Sequence, residues 1–356
     1  MALREAAKGA GYVSPNPMVG CVIVSRDGTL ITKGHHERYG SAHAEINALA
    51  NVKDERDLID ATVYVTLEPC AHHGKTPPCA IALAELPIRR VVVAHIDPNP
   101  KVSGKGVDIL RAGAITVDVG LMRAEAEALN AFFLHHMTTG RPFVTLKMAQ
   151  SLDGYTAAPD GSSQWLTGEE ARARVHGWRA VYDAVMVGRE TAAFDNPQLT
   201  VRLAKGRQPK RIVIDGPGTL PSDLHLFSDV HADKTIRIGY QPVGDPILSL
   251  LSGNVFSGTQ VTVGKHDGHT DLDQALERLG AMRIGSILVE SGGTLATALL
   301  KRRLVNRVHL MIAPRFLGGG KRSVLGLGIS RLQESLDLRT VSVDQLGNDI
   351  LVTGEF

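Results

Sequence analysis

The sequence predicts two α/β domains in succession. Three observations lead there. The chain has 356 residues, more than a single core usually serves. Short runs of apolar and β-branched residues alternate with helical patterns as far as about residue 135. A second such series begins beyond TTGRP (138–142), a connector of turn-forming residues.

The elements follow from the local pattern. MALREAAKGAG is an Ala-rich helix pattern closed by Gly9 and Gly11. VGCVIV (19–24), TVYVTL (62–67), RVVVAHI (90–96) and AITVDV (114–119) are apolar runs short enough to be buried strands. SAHAEINALA (41–50), PCAIALAEL (78–86), GVDILRAG (106–113) and LMRAEAEALNAFFLHH (121–136) repeat apolar residues every three to four positions and read as helices. Together they predict a three-layer α/β/α domain over 1–137. A second α/β domain is expected over 141–356. Its strands are PFVTLKM, DAVMVG, RIVID, GSILVE, RVHLMIAP and ILVTGEF, and its helices fall at about 168–180, 271–280 and 294–303. The stretch 217–268 is rich in Gly, Pro, Ser and Asp and yields no assignable element. The glycines at 318–320 read as a turn, not a nucleotide loop.

Composition narrows the function. Hydrophobic residues at 43% and charged residues at 21% are ordinary for a globular protein. A formal net charge of +2 lacks the basic excess of a general nucleic-acid binder, and 4% aromatics leave few platforms for single strands. No apolar run reaches 18 residues and no charged-then-apolar leader opens the sequence, so a cytoplasmic protein with no membrane partner is expected. Three cysteines in a chain of this length argue against a disulfide framework.

TLEPCAHHGKTPPCA (66–80) holds two of the three cysteines, Cys70 and Cys79, each directly behind a proline. Two thiolates on zinc call for a third protein ligand, and His43 in SAHAEINA is the nearest upstream candidate. Glu45 lies two residues further on. A zinc held by one histidine and two cysteines makes water reactive near neutral pH, and a carboxylate that is not a ligand can carry the protons. Nucleobase deaminases pair an H-x-E element with a P-C…C element in this order. Here eight residues separate the cysteines instead of two, and the insert adds His72, His73 and Lys75, which can grip an anion at the mouth of the site. His43, Cys70 and Cys79 each fall at an expected strand-to-helix junction, where a helix N-terminus favours thiolate. Taken singly, the cysteines are equally buried apolar residues and His43 a helix cap. Cys21, inside VGCVIV, reads as core.

SPNPMVGCVIV, GHHERYGSAHAE and TLEPCAHHGKTPPC resemble the N-terminal domain of the bifunctional riboflavin-biosynthesis deaminase/reductase family. The wide cysteine spacing with its H-G-K-T-P-P-C ending is typical of that family. KMAQSLDG, SSQWLTG, VGRETAAFDNPQLTVR, RIVIDG and VESGGTLATALL continue the resemblance over nearly the whole chain. The start is a few residues shorter than in many members, which touches no motif. The resemblance implies a cytidine-deaminase-like domain followed by a dihydrofolate-reductase-like domain. It implies zinc-dependent hydrolytic deamination of 2,5-diamino-6-(5-phosphoribosylamino)pyrimidin-4(3H)-one. NADPH-dependent reduction of the ribosyl group of 5-amino-6-(5-phosphoribosylamino)uracil to ribityl would follow. By resemblance His43, Cys70 and Cys79 match the zinc ligands and Glu45 the proton shuttle, while Asn16, His36, His72 and Lys75 match substrate contacts. Asn16, between two prolines, is equally a turn residue. A homo-oligomer, dimer or tetramer, acting on small phosphoribosylaminopyrimidines is expected.

The second half lacks G-x-G-x-x-G. GSILVESGGTLATALL offers a strand ending at Glu290 and a glycine turn into a helix, whose free N–H groups can take a phosphate. The resemblance makes Gly292, Gly293, Thr294, Leu295, Ala296, Thr297 and Ala298 the cofactor loop. Ala149, Trp165, Thr191 and Asp195 match further cofactor contacts; Ser163, Arg179, Leu199, Arg202 and Glu290 match substrate contacts. Lys147 ends an apolar strand, an expensive place for an ammonium unless it faces a cleft or snorkels to the surface. In a cleft it can bind phosphate or polarise the sugar carbonyl. Two departures from relatives stand out: Asn196, often a second aspartate, and Gly216, where relatives can offer the cofactor a hydroxyl. Two other readings compete. One is a zinc deaminase acting on RNA or nucleosides, which the low charge and the HHGKT insert disfavour. The other is a zinc-stabilised binding module, which would close its shell with a fourth ligand and have no use for Glu45.

Overall fold

The computed structural model describes residues 1–71, 78–99, 102–240 and 256–356. It divides into two compact units, Met1–Gly140 and Arg141–Phe356. No helix among the described residues is long and apolar enough to cross a membrane.

In the first unit α1 (Ala2–Ala6) leads through a 3-10 turn (Ala7–Gly9) to β1 (Gly20–Val24) and β2 (Leu30–His35). Then come α2 (Ala44–Leu49), β3 (Thr62–Val65), α3 (Cys79–Ala84), β4 (Arg90–Val93) and α4 (Lys105–Ala112). β5 (Thr116–Val119), α5 (Arg123–Leu129) and α6 (Ala131–Thr139) close the unit. The five strands are ordered β2-β1-β3-β4-β5, antiparallel across β2, β1 and β3 and parallel from β3 to β5. Alternation along the strands divides the layers. Cys21, Ile23, Val63, Val65, Val91 and Val93 turn to one face and pack on Ala44 and Ala48 of α2, Leu83 of α3 and Leu110 of α4. Two glycines let helices approach both faces. A Cβ on Gly34 would lie 2.4 Å from the Ala48 nitrogen of α2, and one on Gly20 would lie 2.1 Å from the Ala2 oxygen of α1. Cys21 is a fully buried core residue, as its apolar run predicts.

The pattern at 121–136 predicts one helix; the structure has two, broken at Asn130. That side chain is buried and binds the Met18 backbone twice, accepting from its N–H at 2.8 Å and donating to its carbonyl at 2.9 Å. A contact made 112 positions away outweighs local helix propensity here.

The second unit opens with β6 (Phe143–Ser151), β7 (Tyr155–Ala157), α7 (Glu169–Val181), β8 (Ala184–Gly188) and α8 (Arg189–Asp195). β9 (Lys210–Ile214), α9 (His225–Ser228), β10 (Thr235–Gly239) and β11 (Thr259–Thr262) follow. A small hairpin, β12 (Lys265–His266) and β13 (His269–Thr270), precedes α10 (Leu272–Ala281). β14 (Ser286–Glu290), α11 (Gly293–Lys301), β15 (Arg307–Ala313), β16 (Lys321–Arg322), β17 (Thr340–Leu346) and β18 (Asp349–Glu355) complete it. The main sheet runs β11-β10-β9-β8-β14-β6-β15-β18-β17, parallel as far as β15 and antiparallel at its last two strands.

β10 lies within 217–268, where the sequence yields no assignment, as do α9, β11 and the first strand of the hairpin. Val144, Leu146 and Met148 of β6 turn toward the main core with α10 and α11, so Lys147 and Ala149 turn to the opposite face, which α7 covers. The glycines at 318–320 form a bend beside Asp153, whose carboxylate accepts the Leu317 and Gly318 N–H groups.

Candidate active sites

His43 is the N-cap residue of α2, and Cys79 is the first residue of α3. Cys70 follows the end of β3 at Val65. The His43 Nδ1 lies 3.5 Å from the Cys70 Sγ and 3.4 Å from the Cys79 Sγ, and the three ligand atoms lie within 4.8 Å of one another. A tetrahedral zinc with ordinary bond lengths separates a nitrogen and a sulfur ligand by roughly 3.5 Å. The donor set and its edges therefore fit zinc. The Cys79 backbone N–H donates to the Cys70 Sγ at 3.3 Å, using a free helix N-terminal donor to stabilise a thiolate. Facing the Cys79 thiol and then His43, Cys70 is held down at about 4; Cys79, facing that thiolate and buried, is pushed up. Without a cation the pair shares one proton; a divalent cation between them removes the reason to keep it.

Glu45 belongs to the first turn of α2 and is 3% exposed. Burial raises its carboxyl to about 7, and it receives a hydrogen bond from Cys79. His36 stands edge-on to His43 with ring centres 5.5 Å apart. Its Nδ1 meets the Ala42 carbonyl at 3.0 Å and its Nε2 meets the Asn16 Nδ2 at 3.1 Å. Burial lowers the His36 pKa, so the ring is a neutral donor through Nδ1 and accepts the Asn16 amide at Nε2. That leaves the Asn16 Oδ1 as the side chain's remaining acceptor. His72 and Lys75 lie outside the described residues.

Glu68 is a site residue that motif reading missed. It is buried, and its carboxylate accepts four backbone N–H groups, from Asp97, Gly104, Gly106 and Val107. It thereby ties the loop carrying Pro69 and Cys70 to the start of α4. The only local signal was a charged residue inside an apolar strand ending.

In the second unit Glu290, Lys147 and His309 occupy one register row across β14, β6 and β15, with Thr353 of β18 next in line. Arg179 of α7 covers the row. Its Nε and Nη2 reach the two Glu290 oxygens at 2.6 and 2.8 Å, and its Nη1 donates to the Thr200 carbonyl at 3.0 Å. Burial pushes the Lys147 ammonium below the usual lysine range; the Glu290 carboxylate opposes that shift and Arg179 adds to it. His176 is a second missed residue. Its Nδ1 accepts the Arg202 N–H at 3.0 Å, and burial, with Arg179 and Arg202 nearby, lowers it to about 4. The Arg202 guanidinium bonds to Gln198 and Thr200 at 2.7 and 2.8 Å. The Leu199 side chain is packed in the core with Val185 and Val213, so only its backbone, at φ 55, can meet a ligand. Ser163 is half-buried, its carbonyl accepting the Leu166 N–H at 2.9 Å.

A groove of about 640 Å³ opens along α11, and Thr191, Gly292, Thr294, Leu295, Thr297 and Ala298 line it. Ser291 beside it has a buried hydroxyl with no hydrogen-bond partner among the described residues. A free helix N-terminus, this hydroxyl and the room at Gly292, where a Cβ would meet the Thr191 Oγ1 at an ordinary 3.8 Å, fit a dinucleotide phosphate. Gly293 has a different reason to be glycine: a Cβ there would lie 2.4 Å from the Arg322 carbonyl oxygen. Ala296 is fully buried in the core. Ala149 packs beneath α7, and Asp195 ends α8. Trp165 is 65% exposed with the Arg172 guanidinium 4.7 Å from its ring centre. None of these three borders the groove. Asn196 is a structural cap here, accepting the His225 N–H at 2.8 Å.

Comparison with known proteins bears on both units. Residues 142–352 match the RibD C-terminal domain family, and residues 1–95 match the cytidine and deoxycytidylate deaminase zinc-binding region. The riboflavin biosynthesis protein RibD of Actinobacillus pleuropneumoniae is 42% identical over 99% of this chain and 92% of its own. That of Escherichia coli K12 is 39% identical over 98% of this chain and 96% of its own. The solved structure of Acinetobacter baumannii RibD superposes with a TM-score of 0.87 at 36% identity, covering 99% of this chain and 96% of that one. A diaminohydroxyphosphoribosylaminopyrimidine deaminase/5-amino-6-(5-phosphoribosylamino)uracil reductase from Thermotoga maritima gives 0.86 at 34% identity, with the same coverage. With a zinc-fitting His/Cys/Cys site in one unit and a phosphate-fitting groove in the other, the chain belongs to the RibD family of bifunctional riboflavin-biosynthesis enzymes, which deaminate the pyrimidine with zinc and reduce its ribosyl group with NADPH.

Proposed function

We propose that residues 1–137 carry the deaminase chemistry on His43, Cys70 and Cys79 as zinc ligands, with Glu45 as proton shuttle. Residues 141–356 carry the reductase chemistry around Lys147. The observation that carries this reading is the three-atom ligand triangle with the buried Glu45 carboxyl beside it. Bound zinc supplies the Lewis acid that makes water nucleophilic near neutral pH. Glu45 takes a proton from that water and returns one to the departing amine. Asn16, oriented by His36, presents its Oδ1 to a pyrimidine N–H; His72 and Lys75 take the phosphate.

In the reductase unit NADPH supplies the hydride, and the Gly292–Ala298 segment with Ala149, Trp165, Thr191 and Asp195 holds it. Lys147 stabilises the negative charge that grows on the sugar oxygen. Arg202 and the remaining Arg179 donors hold the phosphoribosyl group, with Ser163, Glu290 and the Leu199 backbone completing its enclosure. The enzyme works on small pyrimidine phosphoribosides in the cytoplasm, as a dimer or tetramer.

The test is Glu45→Gln, assayed for zinc content and for ammonia release. The variant should keep about one zinc per chain and lose deamination by a factor on the order of 10²–10⁴. Near-normal ammonia release would remove Glu45 from the mechanism.

A further inference from the structure

The groove along α11 extends past the residues matched to the cofactor. Its outer wall is built by Arg189, the Gly216–Pro217 turn after β9, Tyr240 after β10, and the β12–β13 hairpin. Gly216 lies flat beneath this wall: a Cβ there would sit 2.5 Å from a Tyr240 ring carbon and 2.8 Å from the Thr270 Oγ1. A hydroxyl from β13 therefore occupies the place that a side chain at 216 would take.

The charges around the groove differ in how far they are committed. Arg302 is paired with Asp271 and Asp273 at 3.6 and 2.6 Å, and His266 faces Asp267 at 3.4 Å. Glu190 and Asp267 add negative charge to the lining, and His269 a further imidazole. Lys301 is exposed at the far end of α11, about 12 Å along the axis from the phosphate-accepting N-terminus at Gly293. Arg189 is better placed. It opens α8 two residues before Thr191, whose Oγ1 takes the Gly292 N–H at 3.4 Å. Its guanidinium is exposed, donates to the Thr219 Oγ1 at 3.3 Å, and has no carboxylate partner among the described residues. A guanidinium left with several donors beside a phosphate-binding helix end is suited to a second phosphate.

We propose that Arg189 binds the 2′-phosphate on the adenosine half of NADPH, with the Thr219 and Thr270 hydroxyls beside it, and so sets the preference for NADPH over NADH. This rests on the reductase reading of the second unit.

The test is calorimetric titration of the full-length chain with 2′,5′-ADP, which carries the second phosphate, and with 5′-AMP, which lacks it. Wild type should bind 2′,5′-ADP more tightly. Arg189→Ala should weaken 2′,5′-ADP on the order of ten- to a hundredfold and leave 5′-AMP unchanged. Arg189→Lys should recover part of that loss, since it restores the charge without the fork. The proposal is overturned if Arg189→Ala leaves the preference intact, if it weakens both ligands equally, or if Lys301→Ala abolishes the preference instead. Wild type that bound neither these fragments nor NADPH itself would overturn the reductase reading as well.

Discussion

Lys147 shows how much a single residue depends on its neighbours in space. Its strand position places an ammonium under α7, between Glu290 and His309 in one cross-strand row. Glu290 is already held by the Nε and Nη2 of Arg179, which leaves the lysine as the cation of the row placed to meet developing charge. Lys147→Ala should cut NADPH oxidation by a factor on the order of 10²–10³ and leave ammonia release unchanged. Steady-state rates of the two half-reactions, each with its own substrate, check this; equal losses in both would sink it. His309, next in the row, stacks on Trp178 with ring centres 4.1 Å apart and meets the Thr353 Oγ1 at 3.0 Å. Burial, with Arg307 and Arg174 nearby, lowers it to about 3. The unfolded chain, with a histidine pKa near 6.5, therefore binds this proton more readily than the folded one. Stability from this site is unaffected above about pH 6.5 and falls as pH drops from there toward about 3. His309→Gln cannot take up that proton, so its urea midpoint should fall less than wild type between pH 7 and pH 4.5. Parallel falls would show that other groups govern the acid response.

At the scale of elements, Glu68 decides where the Cys70 loop lies. Four N–H groups converge on its carboxylate, and Gly106 is packed so closely that a Cβ would lie 2.0 Å from the Pro69 oxygen. Glu68→Ala should leave these donors unpaired, destabilise the unit by roughly 2–4 kcal/mol and weaken zinc binding. Urea unfolding and chelator competition measure the two effects; unchanged zinc affinity would confine Glu68 to stability. The motif TLEPC was legible, but the role of its glutamate was not, because its partners lie some thirty to forty positions along the chain. β10 makes the same point. TIRIG carries an arginine in mid-strand, an unlikely strand core by composition. In the fold Arg237 is buried against Asp215 from the end of β9, an ion pair that no local window contains.

The whole molecule consists of two units with separate cores. The cluster around Ile23, Val63 and Leu83 lies wholly in Met1–Gly140, and the clusters around Leu146, Val213 and Met311 lie wholly in Arg141–Phe356. Each is long enough to fold alone. A fragment of residues 1–140 should fold cooperatively and bind about one zinc, and a fragment of 141–356 should bind NADPH. Circular dichroism, metal content and cofactor titration check this; a 1–140 fragment that stays unfolded with zinc present would show that the first unit needs the second.

The sequence by itself determined the two α/β halves, the helix and strand runs with clean periodicity, and the His43, Cys70 and Cys79 set that the fold brings together. These are short-range signals: periods of two and 3.6, and chemistry-bearing residues in a fixed order. It also carried the family, whose motifs span nearly the whole chain. Tertiary structure alone decided the break at Asn130, the charged strand β10, the His36–Asn16 pair, the anchoring by Glu68, and which glycine of the Gly292–Gly293 pair is packed against backbone. Each of these rests on a polar group satisfied by a distant partner, or on backbone packed against backbone. A buried polar group must be paired wherever its partner comes from, and only the fold brings that partner within reach.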